Sequence, residues 1–131
     1  MQTIQNRSAR LIFKVNRREH TSPLLKQLHW LPISQRIIFK ILTFGFNARM
    51  GNAPLYLSDL LHNIIHSGNT RFLRSHADQN LLLCNRTYTT YGDRAFVNAV
   101  PVLWNKLPLK LRAIDNKIKF KAMLKTHLFP K

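Results

Sequence analysis

Acidic residues are scarce in this sequence. Glu19, Asp59, Asp78, Asp93 and Asp115 stand singly against 21 lysines and arginines in 131 residues. A polymerase centre needs carboxylates grouped to hold two metal ions about 4 Å apart, and no aromatic-x-Asp-Asp element occurs. An endonuclease would need its own carboxylates grouped with histidine, and none are. Cysteine is nearly missing as well: Cys84 is alone, which excludes an intramolecular disulfide and a cysteine-rich zinc site. Four glycines, Gly45, Gly51, Gly68 and Gly92, form no phosphate-binding loop. No apolar run approaches the roughly 18 residues a membrane-spanning helix requires. His62 and His66, at i and i+4, have the spacing of two zinc ligands, but no third ligand stands near them. Ser58, Asp59 and His62 have the residue types of a hydrolase triad, yet as local neighbours they read as capping and solvation. The expectation is a protein without catalytic residues, metal or cofactor, and without a small-molecule substrate.

What the chain has in abundance is positive charge, +16 with histidines neutral. Self-repulsion at that charge works against a compact monomer and favours a polyanionic partner. Nucleic acid is the first such partner, an anionic membrane surface the second. The 45% apolar content is ordinary for a globular protein. A chain of this length buries about two-thirds of its unfolded surface in one domain. No repeat or low-complexity linker interrupts it, so residues 1–131 read as a single basic domain. Met1 to Arg10 is polar and basic with no apolar segment behind it, which argues for an intracellular protein, nuclear or cytoplasmic, and against a secretory signal. A transit peptide is the other reading of that arginine-rich start.

The periodicity predicts a mainly α protein: a small helical domain with a short β-hairpin near residues 81–91. Residues 4–18 read as a helix, with Ile4, Ser8, Leu11, Ile12 and Val15 on an apolar stripe and Arg7, Arg10, Lys14, Arg17 and Arg18 on another side. Those cations have no acid among them before Glu19, so the face is either solvated or tracks phosphates. Ser22 and Pro23 open a short helix that carries Leu24, Leu25 and Leu28 to Trp30. From about Ser34 to Met50 comes the clearest helix, whose broad apolar face predicts burial on most sides. Gly51 stops it and Pro54 opens a short helix through Leu61. Residues 62–80 lose periodicity and read as an exposed loop bearing Arg71 and Arg74. Leu81 to Cys84 and Tyr88 to Tyr91 read as the two strands, around Asn85 and Arg86. Gly92 and Asp93 then cap a helix from Arg94 to about Val100, which Pro101 kinks or restarts. The last helix begins near Asp115 or Asn116, with Phe120, Leu124 and Leu128 inward and Lys117, Lys121 and Lys125 along another line.

Several blocks together carry a family resemblance. They are Gln5-Asn6, Ala9-Arg10-Leu11, Pro23-Leu24-Leu25, Leu28-His29-Trp30-Leu31-Pro32, and then Arg36-Ile37 with Phe39-Lys40-Ile41. Ala53-Pro54, Tyr56-Leu57-Ser58, Leu73-Arg74-Ser75, and Tyr91-Gly92-Asp93-Arg94-Ala95-Phe96 follow. Leu103-Trp104-Asn105, Leu107-Pro108 and Leu124-Lys125-Thr126-His127-Leu128-Phe129 complete the series. In this order the chain resembles the C-terminal, post-palm region of reverse transcriptases from LINE-type, non-LTR retrotransposons of the chicken-repeat and jockey-like lineages. The parent family is an RNA-directed DNA polymerase, and the resemblance implies its tail without the catalytic palm. Arg49 departs from the family pattern and puts a cation near the buried end of the central helix. It must either reach solvent or mark decay of the sequence.

The resemblance and the charge imply a non-catalytic nucleic-acid-binding fragment that grips RNA or an RNA–DNA hybrid through phosphates, with weak sequence specificity. Its candidate contacts are Arg7, Arg10, Lys14, Arg17, Arg18, Arg71, Arg74, Arg86, Arg94, Lys117, Lys121 and Lys125. Trp30 and Trp104, with leucine neighbours, read as core anchors more readily than as base-stacking surfaces. Tyr88 and Tyr91 alternate with polar residues and cations and are the better stacking candidates, although a structural role is preferred even there. Two alternatives stay open. One is an inactive relic, because LINE-type elements copy themselves from the 3′ end and incomplete copies keep only the C-terminus. The other is a peripheral module on anionic membranes, disfavoured because the apolar lines of the terminal helices are needed for the core.

Overall fold

The computed structural model describes residues 1–61 and 80–129. Among these residues the chain is mainly helical, with eight helices in order: α1 (Gln2–Phe13), α2 (Thr21–Gln27), α3 (Ile33–Arg49), α4 (Leu55–Ser58), α5 (Thr90–Arg94), α6 (Phe96–Asn105), α7 (Leu109–Arg112) and α8 (Lys117–Leu128). The loop expected over 62–80, with Arg71, Arg74, His62 and His66, lies outside the described residues except for Asn80.

Two apolar clusters organise the described residues, and the larger is built on α3. The larger joins Leu42 and Phe46 of α3 to Val100 and Trp104 of α6, Leu111 of α7, and Phe120 and Leu124 of α8. Removing one such large side chain from water contributes about 1.5–3 kcal/mol. Phe46 stacks on Phe120 with ring centroids 4.4 Å apart, and Phe120 on Trp104 at 5.7 Å. The Trp104 indole is fully buried, and its Nε1–H donates to the Asn80 carbonyl at 2.9 Å. Gly45 sets the spacing between α3 and α6, because a Cβ there would stand 2.5 Å from Cγ1 of buried Val100. Valine is stiff at χ1, so the clash cannot be relieved by a rotamer change alone. Gly45→Ala is therefore expected to destabilise the fold by about 1–3 kcal/mol despite alanine's better helix propensity. A thermal midpoint equal to or above the parent's would refute this account of the contact.

Burial of α3 on most sides is not found. Ile37 and Phe44 are each 55% exposed, because α6 and α8 cover one side of the helix. α1 and α2 instead pack on each other through a smaller cluster of Ala9, Leu24 and Leu25, flanked by Phe13, Leu28 and Trp30. The stripe predicted to be buried on α1 also proves wrong. Ile4, Leu11 and Ile12 are exposed, whereas the inward line is Gln2, Gln5, Asn6, Ala9 and Phe13. The reason is polar: α1 staples the start of α3 by hydrogen bonds rather than by oil. The Ile33 N–H donates to Gln2 Oε1 at 2.8 Å, and Gln5 Nε2 donates to the Leu31 carbonyl at 2.9 Å.

Three helices end in the same way, with a residue in the left-handed region and the paired backbone bonds of a Schellman motif. Gly51 (φ 70°) closes α3 as expected, but Lys14 (φ 52°) closes α1 and His29 (φ 52°) closes α2. After α2, the His29 N–H donates to the Lys26 carbonyl and the Trp30 N–H to that of Leu25. After α1, Lys14 pairs with Leu11 and Val15 with Arg10. The helix expected over 4–18 therefore stops at Phe13. An L-residue in that conformation costs roughly 1 kcal/mol that glycine avoids. His29→Gly is expected to stabilise the fold by about 0.5–1 kcal/mol, read as a raised denaturation midpoint; a lowered midpoint would contradict the strain argument.

The predicted hairpin is not formed. Among the described residues the only extended pairing is a single-residue bridge at Leu82. The Asn105 side-chain amide holds the backbone of this same residue. Its Oδ1 accepts from the Leu82 N–H at 3.0 Å, and its Nδ2 donates to the Leu82 carbonyl at 2.9 Å. The second expected strand becomes a helix because Thr89 caps it, its Oγ1 accepting from the Gly92 N–H at 3.1 Å. The cap thus lies ahead of the expected Gly92-Asp93. Helix α6 starts afresh after extended Ala95 and continues through Pro101 to Asn105. Asn116 caps α8, accepting from the Ile118 and Lys119 N–H groups at 2.9 and 3.2 Å.

Candidate nucleic-acid interface

The cations gather most densely around the end of α1. Arg7, Arg10, Lys14 and Arg17 line an open groove of about 630 Å³ together with Leu11 and Val15, and among the described residues no carboxylate lines it. The left-handed turn at Lys14 sets how they are arranged. Had the helix continued to residue 18, Arg17 would sit a turn farther along the axis. Instead the chain turns at Lys14 and brings Arg17 to the groove that Arg7 and Lys14 already flank. Arg10 has a second duty there. Its Nε and Nη2 donate to the Glu19 carbonyl at 3.3 and 3.0 Å, so it clamps the turn that shapes the groove.

The remaining candidates are dispersed. Arg18 is exposed beyond the groove, Arg86 lies exposed in the segment before α5, and Arg94 is in the last turn of α5. Lys117, Lys121 and Lys125 recur along α8, with Lys121 half-buried. Arg71 and Arg74 lie outside the described residues. Tyr88 and Tyr91 are 98% and 83% exposed, so the structural role preferred for them is not what they perform. Trp104 is core, as expected.

Arg49 neither runs to solvent nor hangs unpaired. Its guanidinium lies 5.4 Å over the Trp104 ring, and Nη1 donates to the Arg112 carbonyl at 3.1 Å. Partial burial lowers its pKa from the usual guanidinium value, while the charge of Asp115 acts in the opposite sense. It remains a cation at any physiological pH, and it serves the core, not a ligand.

A second groove, of about 620 Å³, was not foreseen. Ile4, Trp30, Ile33 and Phe39 are among its apolar lining residues, and Arg36 and Lys125 are its cations. The core reading of Trp30 is therefore half the account. The residue packs against the α1–α2 cluster and also faces this groove. Arg36, named above only within the Arg36-Ile37 block of the resemblance, has no local signal that would have marked it. Lys125 comes from the other end of the chain.

Among the described residues no helix is long and apolar enough to cross a membrane, and no group of histidine, cysteine and carboxylate could hold a metal ion. The fold and grooves define a small, basic, mainly helical domain. Comparison of the chain with protein-family models, curated proteins and solved structures gives no significant match.

Proposed function

We propose that this chain is a non-catalytic nucleic-acid-binding domain that grips RNA or an RNA–DNA hybrid through phosphate contacts. The carrying observation is the groove of Arg7, Arg10, Lys14 and Arg17, four cations drawn together without a carboxylate among them. Charge neutralisation of phosphates needs no base-reading group, so binding is expected to be largely independent of sequence. The ordered resemblance to the post-palm region of LINE-type reverse transcriptases supports the same reading, in which the parent polymerase would supply the catalysis. Four phosphate contacts on a duplex predict that log K falls with log salt at a slope of about −3.6. A titration of an RNA–DNA hybrid across salt concentrations measures this slope, and a flat dependence would remove the phosphate-grip reading.

One observation favours a second reading, a module on anionic membranes. Leu11 and Ile12 are exposed beside Arg7 and Lys14, so the apolar line of α1 is not consumed by the core. A basic helix with an exposed apolar line can lie in a lipid interface. Flotation with anionic vesicles, set against hybrid binding at the same salt, separates the two readings.

A further inference from the structure

We propose that the groove between α1 and the start of α3 receives unpaired bases of a single-stranded nucleic acid. Trp30 is then the stacking surface, and Arg36 and Lys125 are the flanking phosphate contacts. This rests on the nucleic-acid reading above and extends it from duplex phosphates to bases. The groove's volume, about 620 Å³, falls within the roughly 300–1,000 Å³ of ordinary ligand sites. Its walls are mainly apolar, and among the described residues its charged lining side chains are Arg36 and Lys125 and no carboxylate lines it. Aromatic surface combined with cations is the chemistry by which single strands are held.

Trp30 is well prepared for that task. Its backbone is fixed by the N–H bond to the Leu25 carbonyl at 2.8 Å, and its side chain packs on the Leu24 and Leu25 cluster. Little ordering cost remains when a base stacks on a ring already held in place. The groove also offers no free reader of base edges at Gln5. That amide is spent, Nε2 on the Leu31 carbonyl and Oε1 on Gln2 Nε2 at 3.1 Å.

The two grooves are joined by one helix face. Ile4, Arg7, Leu11 and Lys14 follow at three- and four-residue steps along α1, which places them on one side of the helix. Ile4 lines the Trp30 groove, while Arg7, Leu11 and Lys14 line the cationic one. Ile4 and Leu11 are separated by about 10 Å along the axis. A strand leaving a duplex on the cationic groove would therefore meet the Trp30 groove next.

Tryptophan fluorescence of the whole chain tests this directly. Trp104 is fully buried, so quenching by a ligand reports on Trp30. A short oligothymidylate and a duplex of equal length are titrated at one salt concentration, with dodecanoate as an acyl-chain probe. Saturable quenching by the single strand alone is expected, and, with binding read as the anisotropy of a labelled oligothymidylate, Trp30→Leu is expected to weaken it by about tenfold or more. Should Trp30→Leu fail to fold, the exposed pair Arg36→Gln with Lys125→Gln must weaken single-strand binding while duplex binding stays unchanged. Duplex binding without single-strand quenching overturns the Trp30 groove and leaves the phosphate grip standing. Absence of binding to either probe overturns both. A blue shift with dodecanoate and no quenching by oligothymidylate assigns the groove to acyl chains and overturns the proposal.

Discussion

Trp104→Ala is expected to cost about 3–5 kcal/mol, the range for removing a large aromatic from a packed core. Three losses coincide at this residue. Phe120 loses its stacking partner at 5.7 Å, the Asn80 carbonyl loses its indole donor, and the Arg49 guanidinium loses the ring beneath it. The last loss raises the penalty, because a partly desolvated cation deprived of its aromatic partner forfeits about 0.5–2 kcal/mol. Native domains hold only about 5–15 kcal/mol in total, and +16 of charge draws on that margin. Thermal unfolding followed by circular dichroism should show a midpoint about 10–20 °C lower. Trp104→Phe should fall between, keeping the stack and losing the indole hydrogen bond. A Trp104→Ala midpoint within a few degrees of the parent's would refute the central placement of this side chain.

The second large effect lies on the surface. Arg7, Lys14 and Arg17 are exposed, so replacing all three with glutamine should leave the thermal midpoint nearly unchanged. Arg10 is left out of the set because its guanidinium holds the Glu19 carbonyl. Each phosphate contact contributes about 0.9 of a decade in affinity for every decade of salt below 1 M. Losing three should flatten the salt slope by about 2.7 and weaken hybrid binding about 500-fold at 0.1 M salt. Isothermal or anisotropy titrations at several salt concentrations measure both quantities. Equal losses from neutralising Lys117, Lys121 and Lys125 of α8 would mean that bulk charge, not the α1 groove, does the binding.

The elements legible in the sequence share a physical cause. The span of α3, the Gly51 stop and the Asn116 cap are written in local chemistry: an apolar period, a residue free to take positive φ, a side-chain acceptor at a helix start. The misses share a cause as well. Lys14 and His29 take the left-handed conformation without being glycine, so no residue type announces where α1 and α2 end. The β-prone residues at 81–91 suggest a hairpin, but the Leu82 N–H and carbonyl are held by the Asn105 side-chain amide, 23 residues away. On α1, glutamines occupy the inward line, which inverts any reading that sends apolar residues inside.

The binding surface divides along the same boundary. Charge, and the scarcity of carboxylates that leaves it uncompensated, belong to composition and needed no fold to be seen. Spacing alone puts four of those cations on one side, but the turn at Lys14 that ends the helix beside their groove is a backbone conformation without a sequence signature. Trp30 shows the difference most plainly. Its leucine neighbours correctly predict an anchor, since local apolar context reports burial. Its second role, facing a groove with Arg36 and Lys125, arises only when α8 packs against α3 and carries Lys125 to a site that opens near residue 4. Local pattern determines what each segment prefers; only packing between distant segments decides which side chains meet.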